Sequence, residues 1–391
     1  MYHIQKLNKI SRKGLQIFDT DDYEVASQII DPHGILVRSA KMHDMELPQS
    51  LMAIARAGAG VNNIPVDTCT TRGIPVFNTP GSNANGVKEL VVAGLLLSSR
   101  DIIGGIEWAK TLVGNGDQVP KMVEKGKSAF AGNEIAGKTL GVVGLGAIGV
   151  LVANAATDLG MQVLGYDPFI SVEAAWGLSR SVKREKTLEN LLSQCDYISL
   201  HIPLTEKTKG VINNTKFSVM EKGTVLLNFA RGGLVNNKDL LEAIEQGTIA
   251  RYVTDFPDED LLRNERVIGI PHLGASTTEA EDNSAIMAAT QLKDYLENGN
   301  IINSVNFPAC KLEVSGPTRI LIATENIPNM VGQITAILGE AHINIEDMLN
   351  KHRDSIAYNI IDVTGDVPEE VVEKLRAIKG CIMVRMLHDM M

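Results

Sequence analysis

The sequence predicts an α/β protein built on parallel sheets and closed by a small α+β unit at its carboxyl end. Three observations carry that reading. From residue 14 onward, short apolar runs of strand length alternate with helical patterns. The stretch from Lys138 to Pro168 reads strand, glycine-rich turn, small-residue helix, strand. Residues 318–388 read β-α-β-β-α-β, the ferredoxin-like order of an independent small domain.

Size and composition agree. A chain of 391 residues exceeds one ordinary domain, and 35 glycines suit a fold with many strand-to-helix turns. A net charge of −10, with no Lys/Arg block, argues against a nucleic-acid partner. Cys69, Cys195, Cys310 and Cys381 are scattered with no C-x-x-C spacing, so we expect free thiols in a reducing compartment and no metal site. The opening MYHIQKLNKI lacks the apolar core of a signal peptide, and the apolar stretch Leu90 to Leu97 is too short to span a bilayer. The expectation is a soluble cytoplasmic protein with no membrane partner.

Taken in order, Leu15–Phe18, Ile35–Val37, Met52–Ala55 and Ile74–Phe77 read as parallel strands. Arg38 and Ser39 follow the second of these. Arg56 follows the third and leads into Gly58-Ala59-Gly60. Open α/β sheets bind ligands at the carboxyl ends of their strands, so two arginines on neighbouring ends point to an anion site. A long helical pattern runs from about Asn83 to Leu112, and a loose polar connector covers 114–136.

The next stretch carries the strongest signal. The apolar run Thr139–Val143 has the length of a buried parallel strand. Gly144, Gly146 and Gly149 follow in G-x-G-x-x-G spacing, then a helix from about Ile148 to Leu159 and a second strand, Met161–Tyr166, ending at Asp167. Gly144 permits the tight turn, Gly146 lets backbone approach a pyrophosphate, and Gly149 lets helix and strand pack closely. The helix amino terminus offers unpaired N–H groups to phosphates. A carboxylate about 20 residues on holds a ribose 2′-OH and repels a 2′-phosphate. This is a Rossmann-type dinucleotide site, with NAD favoured over NADP.

Alternation resumes with strands at Tyr197–His201, Thr224–Asn228, Arg251–Thr254 and Val267–Ile270 and helices at Thr187–Ser193, Asn214–Met220, Asn237–Gln246 and Thr277–Asn298. Oxidation of a secondary alcohol beside a carboxylate needs a base, a cation and a partner for the base. Arg231, in NFARGG, follows one strand with a donor fork suited to a carboxylate. His272, in IPHLGAST, follows another, and histidine exchanges protons at cellular pH. The run VTDFPDED offers Asp255, Asp258, Glu259 and Asp260 as partner acids, and spacing alone does not choose among them. His201 also ends a strand but nothing acidic or glycine-rich frames it, so it ranks behind His272.

With RAGAGVNNI, NTPGSNA, VVGLGAIG, HIPLTEKT, NFARGGLV, IPHLGAST and the tail in view, residues 14–388 resemble the D-isomer-specific 2-hydroxyacid dehydrogenases. The likeness is to the branch that oxidises 3-phosphoglycerate to 3-phosphohydroxypyruvate, the entry to L-serine, and carries a C-terminal ACT domain. The resemblance implies a Rossmann-type NAD domain, residues 96–280, inserted in a flavodoxin-like substrate domain made of 1–95 and 281–308. The ferredoxin-like ACT domain then covers 317–391. It implies Arg231 on the substrate carboxylate, His272 as acid/base and an acid paired with it. Aligning on Phe256 makes that acid Glu259, and counting from Arg231 makes it Asp260; Glu259 is the family's residue type. NAD contacts are implied at Gly144, Gly146, Ala147, Ile148, Gly149, Asp167, Phe229, Ala230, Arg231, Asp255, His272, Gly274 and Ala275. Substrate contacts are implied at Arg38, Ser39, Gly58, Ala59 and Asn83. Lys88 stands where the family usually has alanine.

In the tail, Pro328-Asn329 replaces the usual Pro-Gly and Thr324 replaces a histidine, while Asn326 and Asn344 match positions that bind an L-serine effector. A homodimer or homotetramer is implied. Sibling enzymes act on D-lactate or on glyoxylate and hydroxypyruvate, and NAD-sensing corepressors share the scaffold. A tail that reads as a feedback module favours the phosphoglycerate branch.

Overall fold

The computed structural model describes residues 1–388; the final three residues of the expected tail domain lie outside them. Two compact units emerge, one formed by Met1–Ser82 with Glu281–Met391 and the other by Asn83–Ala280.

The first unit opens with strands β1 (Tyr2–Leu7), β2 (Tyr23–Ala26), β3 (Gly34–Val37), β4 (Ala53–Arg56) and β5 (Val76–Phe77). They form a parallel sheet in the order β2-β1-β3-β4-β5. β3 and β4 lie where apolar runs predict them. The strand expected at Leu15–Phe18 does not form. Ser11 caps a short helix, Arg12–Leu15, there, and Phe18 enters the core from the following turn. That helix lies against the chain at Ala285, where a Cβ on Gly14 would stand 2.5 Å from a backbone carbon. The inner strand β1 was not expected, because among its side chains only Ile4 is buried and no alternating pattern marks it.

The helix Thr278–Asn298 fastens this sheet. Its Asp282 accepts from the Ser11 hydroxyl, Ser284 Oγ lies 2.7 Å from Ser82 Oγ, and Gln291 donates to the Asn78 carbonyl at 3.0 Å. Four antiparallel strands follow, β13 (Thr318–Glu325), β14 (Ile345–Arg353), β15 (Ile356–Val363) and β16 (Cys381–His388), in the order β14-β15-β13-β16. Strands β6 to β12 belong to the second unit. Helices Met330–Glu340 and Glu369–Arg376 cover one face through Ile334, Leu338, Val372 and Leu375.

The tail's element order is the expected one, but its isolation is not. The other face of the sheet, through Leu321, Tyr358 and Ile360, joins Leu292, Tyr295 and Phe307 in one core. The tail also terminates the helix Thr278–Asn298. The Arg385 guanidinium donates to the carbonyls of Tyr295 and Leu296, Arg319 Nη1 donates to that of Asn298 at 2.9 Å, and Tyr358 OH donates to that of Gly299 at 2.8 Å. Carbonyls left over at a helix end need such partners.

The second unit begins at Asn83 rather than near residue 96. The long helical pattern is two helices, Ala84–Ser99 and Ile102–Lys110, separated by Arg100 in an extended conformation (φ −138°, ψ 153°). The first packs with this unit: a Cβ on Gly94 would lie 3.1 Å from Leu227 and Phe229. The second buries none of its side chains, and neither does Val119–Gly126 in the connector. Seven parallel strands follow: β6 (Thr139–Val143), β7 (Gln162–Tyr166), β8 (Lys183–Arg184), β9 (Tyr197–Leu200), β10 (Thr224–Asn228), β11 (Ile249–Thr254) and β12 (Val267–Gly269). Their order is β12-β11-β10-β9-β6-β7-β8. The chain runs one way from β6 through β7 and β8, then the other from β9 onward. The reversal lies between β6 and β9, where doubly wound sheets hold their ligands.

No described helix is long and apolar enough to cross a membrane.

Arg319 and Asp362 are fully buried and doubly bonded, Nε to Oδ1 at 2.6 Å and Nη2 to Oδ2 at 2.8 Å. Burial alone would raise the Asp362 pKa, but hydrogen bonds from Arg319 and Ser315 outweigh it and hold the carboxyl below its usual range. Breaking such a pair from one side strands a buried charge. Arg319→Ala should therefore cost about 3–5 kcal/mol in urea unfolding, and a double Leu replacement should recover most of it. A loss under about 1 kcal/mol would show that water reaches Asp362.

Candidate active site

Three strand ends and one turn build the site of the second unit. After β6 the chain turns at Gly144 with φ +93°, a conformation that side chains rarely adopt. A Cβ there would also stand 2.7 Å from the carbonyl oxygen of His201, which follows β9. Gly149 is required for a different reason: its Cβ would lie 1.9 Å from the Gly144 carbonyl oxygen. Gly146 faces open space, with nothing within 4 Å of a would-be Cβ. The helix Ala147–Asp158 starts at Gly146 with no side chain capping its N–H groups, so Ala147 and Ile148 present free donors. At the end of β7, Asp167 accepts from the Leu145 N–H and the Phe169 N–H, both at 2.8 Å. Each oxygen keeps a lone pair for a diol. Free donors, an open approach and a fixed carboxylate fit a dinucleotide's pyrophosphate and ribose.

Arg231, Asp255 and His272 follow β10, β11 and β12, neighbours in the sheet. Asn228, fully buried, shapes the first turn: its Nδ2 donates to the Arg231 carbonyl at 3.0 Å and its Oδ1 accepts from the Ala230 N–H at 3.2 Å. Thr254 ties the next strand in, its Oγ1 donating to the Asn228 carbonyl at 3.0 Å and accepting from the Phe256 N–H at 3.1 Å. Neither residue stood out in the sequence, although each ends an apolar run with a lone polar side chain. His272 is exposed and rests on Phe256, ring centroids 4.7 Å apart at 55°. Gly274, in the same turn, is buried against Val87.

Glu259, the acid expected to pair with His272, is engaged elsewhere. Glu259 lies on Arg263 one helical turn away, with its side chain 79% exposed. That i,i+4 pair was legible in the sequence as E-x-x-x-R. Asp258 caps the same short helix, accepting from Leu261 N–H at 2.9 Å, and accepts from Asn237 at 2.6 Å. Asp255 remains. It is 3% exposed, its Oδ1 has no hydrogen-bond partner, and burial raises its pKa against the charges of His272 and Arg231. A buried carboxylate oxygen without a partner is unusual and marks Asp255 among the acids after β11.

His201 is no rival base. Its Nδ1 is buried without a partner, its Nε2 lies 2.8 Å from Ser199 Oγ, and burial lowers its pKa to about 4. On the first unit, Arg38 and Arg56 do end neighbouring strands, but both are engaged. Arg38 Nη2 lies 2.7 Å from Glu281, and Arg56 Nε donates to the Arg38 carbonyl at 2.8 Å. Ser39 N–H donates to Asn8, and Gly58 and Ala59 form the turn beyond β4. Asn83 precedes the helix Ala84–Ser99 without capping it by its side chain.

The tail does not bring Asn326 and Asn344 together within one chain. β13 and β14 both run antiparallel to β15, so Asn326 follows one strand and Asn344 precedes the other at opposite ends of the sheet, roughly 25 Å apart. Thr324 Oγ1 is buried without a partner. Among the described residues no cluster of His, Cys, Asp or Glu is placed to hold a metal.

The state of His201 has a pH signature. Its folded pKa of about 4 lies below the unfolded value of 6.5, so stability is full above pH 6.5 and declines as pH falls toward 4. The loss attributable to this ring is about 3 kcal/mol. Urea unfolding of wild type and His201→Asn across that window should show a shallower acid slope in the variant. Equal slopes would mean the ring protonates freely when folded.

Comparison with known proteins agrees with this geometry. The family model for the D-isomer specific 2-hydroxyacid dehydrogenase, NAD binding domain, matches residues 105–274. The chain is 33% identical over 386 residues to the D-3-phosphoglycerate dehydrogenase of Haemophilus influenzae, spanning 94% of this chain and 90% of that one. Its identity to the Escherichia coli K12 enzyme of the same name is 32% over 385 residues, with the same coverage. Among solved structures, the NAD+-bound 3-phosphoglycerate dehydrogenase of Entamoeba histolytica matches with a TM-score of 0.60 and 28% identity, over 78% of this chain and 98% of that one. Strand-end residues, glycine turn and relatives point the same way, and the chain belongs to the D-isomer-specific 2-hydroxyacid dehydrogenase family.

Proposed function

We propose that the protein oxidises D-3-phosphoglycerate to 3-phosphohydroxypyruvate with NAD, the entry step to L-serine. The observation that carries the reading is Arg231, Asp255 and His272 on three neighbouring strand ends, in a chain that is similar along 94% of its length to a D-3-phosphoglycerate dehydrogenase. NAD, when bound, supplies the hydride acceptor. The chain's own residues do the rest. His272 takes the hydroxyl proton through its imidazole, held by Phe256. The Arg231 fork holds the substrate carboxylate. Asp255 favours the protonated imidazole and fixes its orientation, the role expected of Glu259. Phe229, Ala230, Gly274 and Ala275 line the cofactor, and Arg38, Ser39, Gly58, Ala59 and Asn83 serve the substrate.

Residues 1–82 and 281–308 then form the substrate domain, 83–280 the NAD domain, and the tail from 317 the regulatory one. Exposed Ile102, Ile103 and Ile106 on the helix Ile102–Lys110 suit a contact between copies, giving a homodimer or homotetramer. Sedimentation of Ile106→Lys should show smaller species than wild type. The free cysteines fit a cytoplasmic enzyme.

NADH consumption with 3-phosphohydroxypyruvate should far exceed that with pyruvate; the reverse preference would overturn the substrate assignment. His272→Asn should lower kcat roughly 10²–10⁴-fold while NADH affinity is kept. Asp255→Asn should lower kcat much more than Glu259→Gln, and the opposite ranking would return the acid's role to Glu259. L-serine should bind between two tails through Asn326 of one and Asn344 of the other. A flat calorimetric titration at millimolar serine would remove that site.

A further inference from the structure

The turn at residues 58–60, given to the substrate in the proposed function, follows β4, and its carbonyls are held from beyond the neighbouring strand. The Thr79 N–H donates to the Gly58 carbonyl at 3.2 Å, and Asn78 Nδ2 donates to the Ala59 carbonyl at 2.7 Å. Both donors lie just past β5, an edge strand of two residues. So short an edge needs support on its open side. Residues 303–306 give it. The Val305 N–H donates to the Val76 carbonyl at 2.9 Å, the Asn78 N–H to the Asn303 carbonyl at 3.2 Å, and the Val76 N–H to Asn306 Oδ1 at 2.8 Å.

Ser304 stands opposite Phe77 in this antiparallel bridge. The residues on either side make the bonds of the bridge, so the Ser304 carbonyl is turned away from β5. The tail meets it there: Arg353 Nη1 donates to that carbonyl at 2.8 Å. Arg353 ends β14 and pairs with Ile356 across a hairpin. The hairpin is itself fixed. Ile356 is buried in the core shared with the parallel sheet, the Asn326 N–H donates to the Ser355 carbonyl at 2.7 Å, and Asn326 Nδ2 donates to that of Asp354 at 3.1 Å. A half-exposed arginine is ordinarily a solvated charge. This one has a backbone carbonyl as its close acceptor, while Asp354 Oδ2 lies 4.0 Å from its Nε, beyond hydrogen-bond reach.

We propose that Arg353 is a positioning residue for substrate binding, whose guanidinium holds residues 303–306 on β5 and, through β5, the turn at 58–60 in the conformation that receives the substrate. The assignment rests on the reading that this turn serves the substrate, and deepens it. Every group in the chain of contacts belongs to the first unit. The tail thereby bears on substrate affinity with no effector bound. Arg353 touches no reacting atom, so its loss falls on KM rather than on kcat.

The test pairs steady-state kinetics with amide hydrogen exchange on the full chain, in wild type, Arg353→Ala and Arg353→Lys. In Arg353→Ala the KM for 3-phosphohydroxypyruvate should rise roughly 3–10-fold, with kcat and NADH affinity close to wild type. Exchange should quicken at residues 57–60 and 78–79, while residues 139–143 of the second unit keep their protection. Arg353→Lys should recover part of both effects. Exchange at the turn that is unchanged in the alanine variant, or quickened throughout the chain, overturns the hold of Arg353 and leaves the substrate reading standing. Quickened exchange confined to the turn, with KM unchanged, overturns the substrate role of the turn and the positioning role with it.

Discussion

The NAD half of this protein depends on a close backbone approach at the end of β6. Gly149 stands where any side chain would overlap the Gly144 carbonyl, and Gly144 stands where any side chain would overlap the His201 carbonyl. Helix, turn and the neighbouring strand β9 meet there with no room to spare. The close packing leaves the helix amino terminus uncapped and Gly146 facing open space, so affinity for phosphate is a by-product of how the turn closes. It also explains His201. Its Nδ1 is buried without a partner among the described residues, and burial lowers its pKa, which disfavours it as a base.

In the other unit, the helix Thr278–Asn298 has a comparable organising place. Its polar residues reach Ser11, Ser82 and Asn78 on the parallel sheet, and its last carbonyls are met by Arg385 and Arg319 from the tail. One core is shared by both sheets. A ferredoxin-like order therefore does not make a detached module here. The tail is part of what completes the first unit's core, so a ligand bound on it would act on a continuous packed body.

The acids after β11 show how local structure assigns roles that composition leaves open. Four carboxylates lie within six residues, and two of them have local fates. Asp258 caps a helix and Glu259 pairs with Arg263. Asp255 alone ends a buried strand, and burial leaves it an acceptor that no described residue satisfies.

Much of this was legible in the sequence. Glycine spacing and apolar runs determined the Rossmann-type unit, the strands Thr139–Val143, Thr224–Asn228 and Ile356–Val363, and the placing of Arg231, Asp167 and His272 at strand ends. These are local properties, and local patterns report them. The inner strand β1 was invisible because one buried residue makes no period, and the break at Arg100 because both flanking helices are apolar. Tertiary structure alone decided that Asp255 keeps a buried oxygen without a hydrogen-bond partner among the described residues, and that the tail shares a core with the parallel sheet. Each depends on which distant groups fill a side chain's surroundings, and no spacing along the chain encodes that.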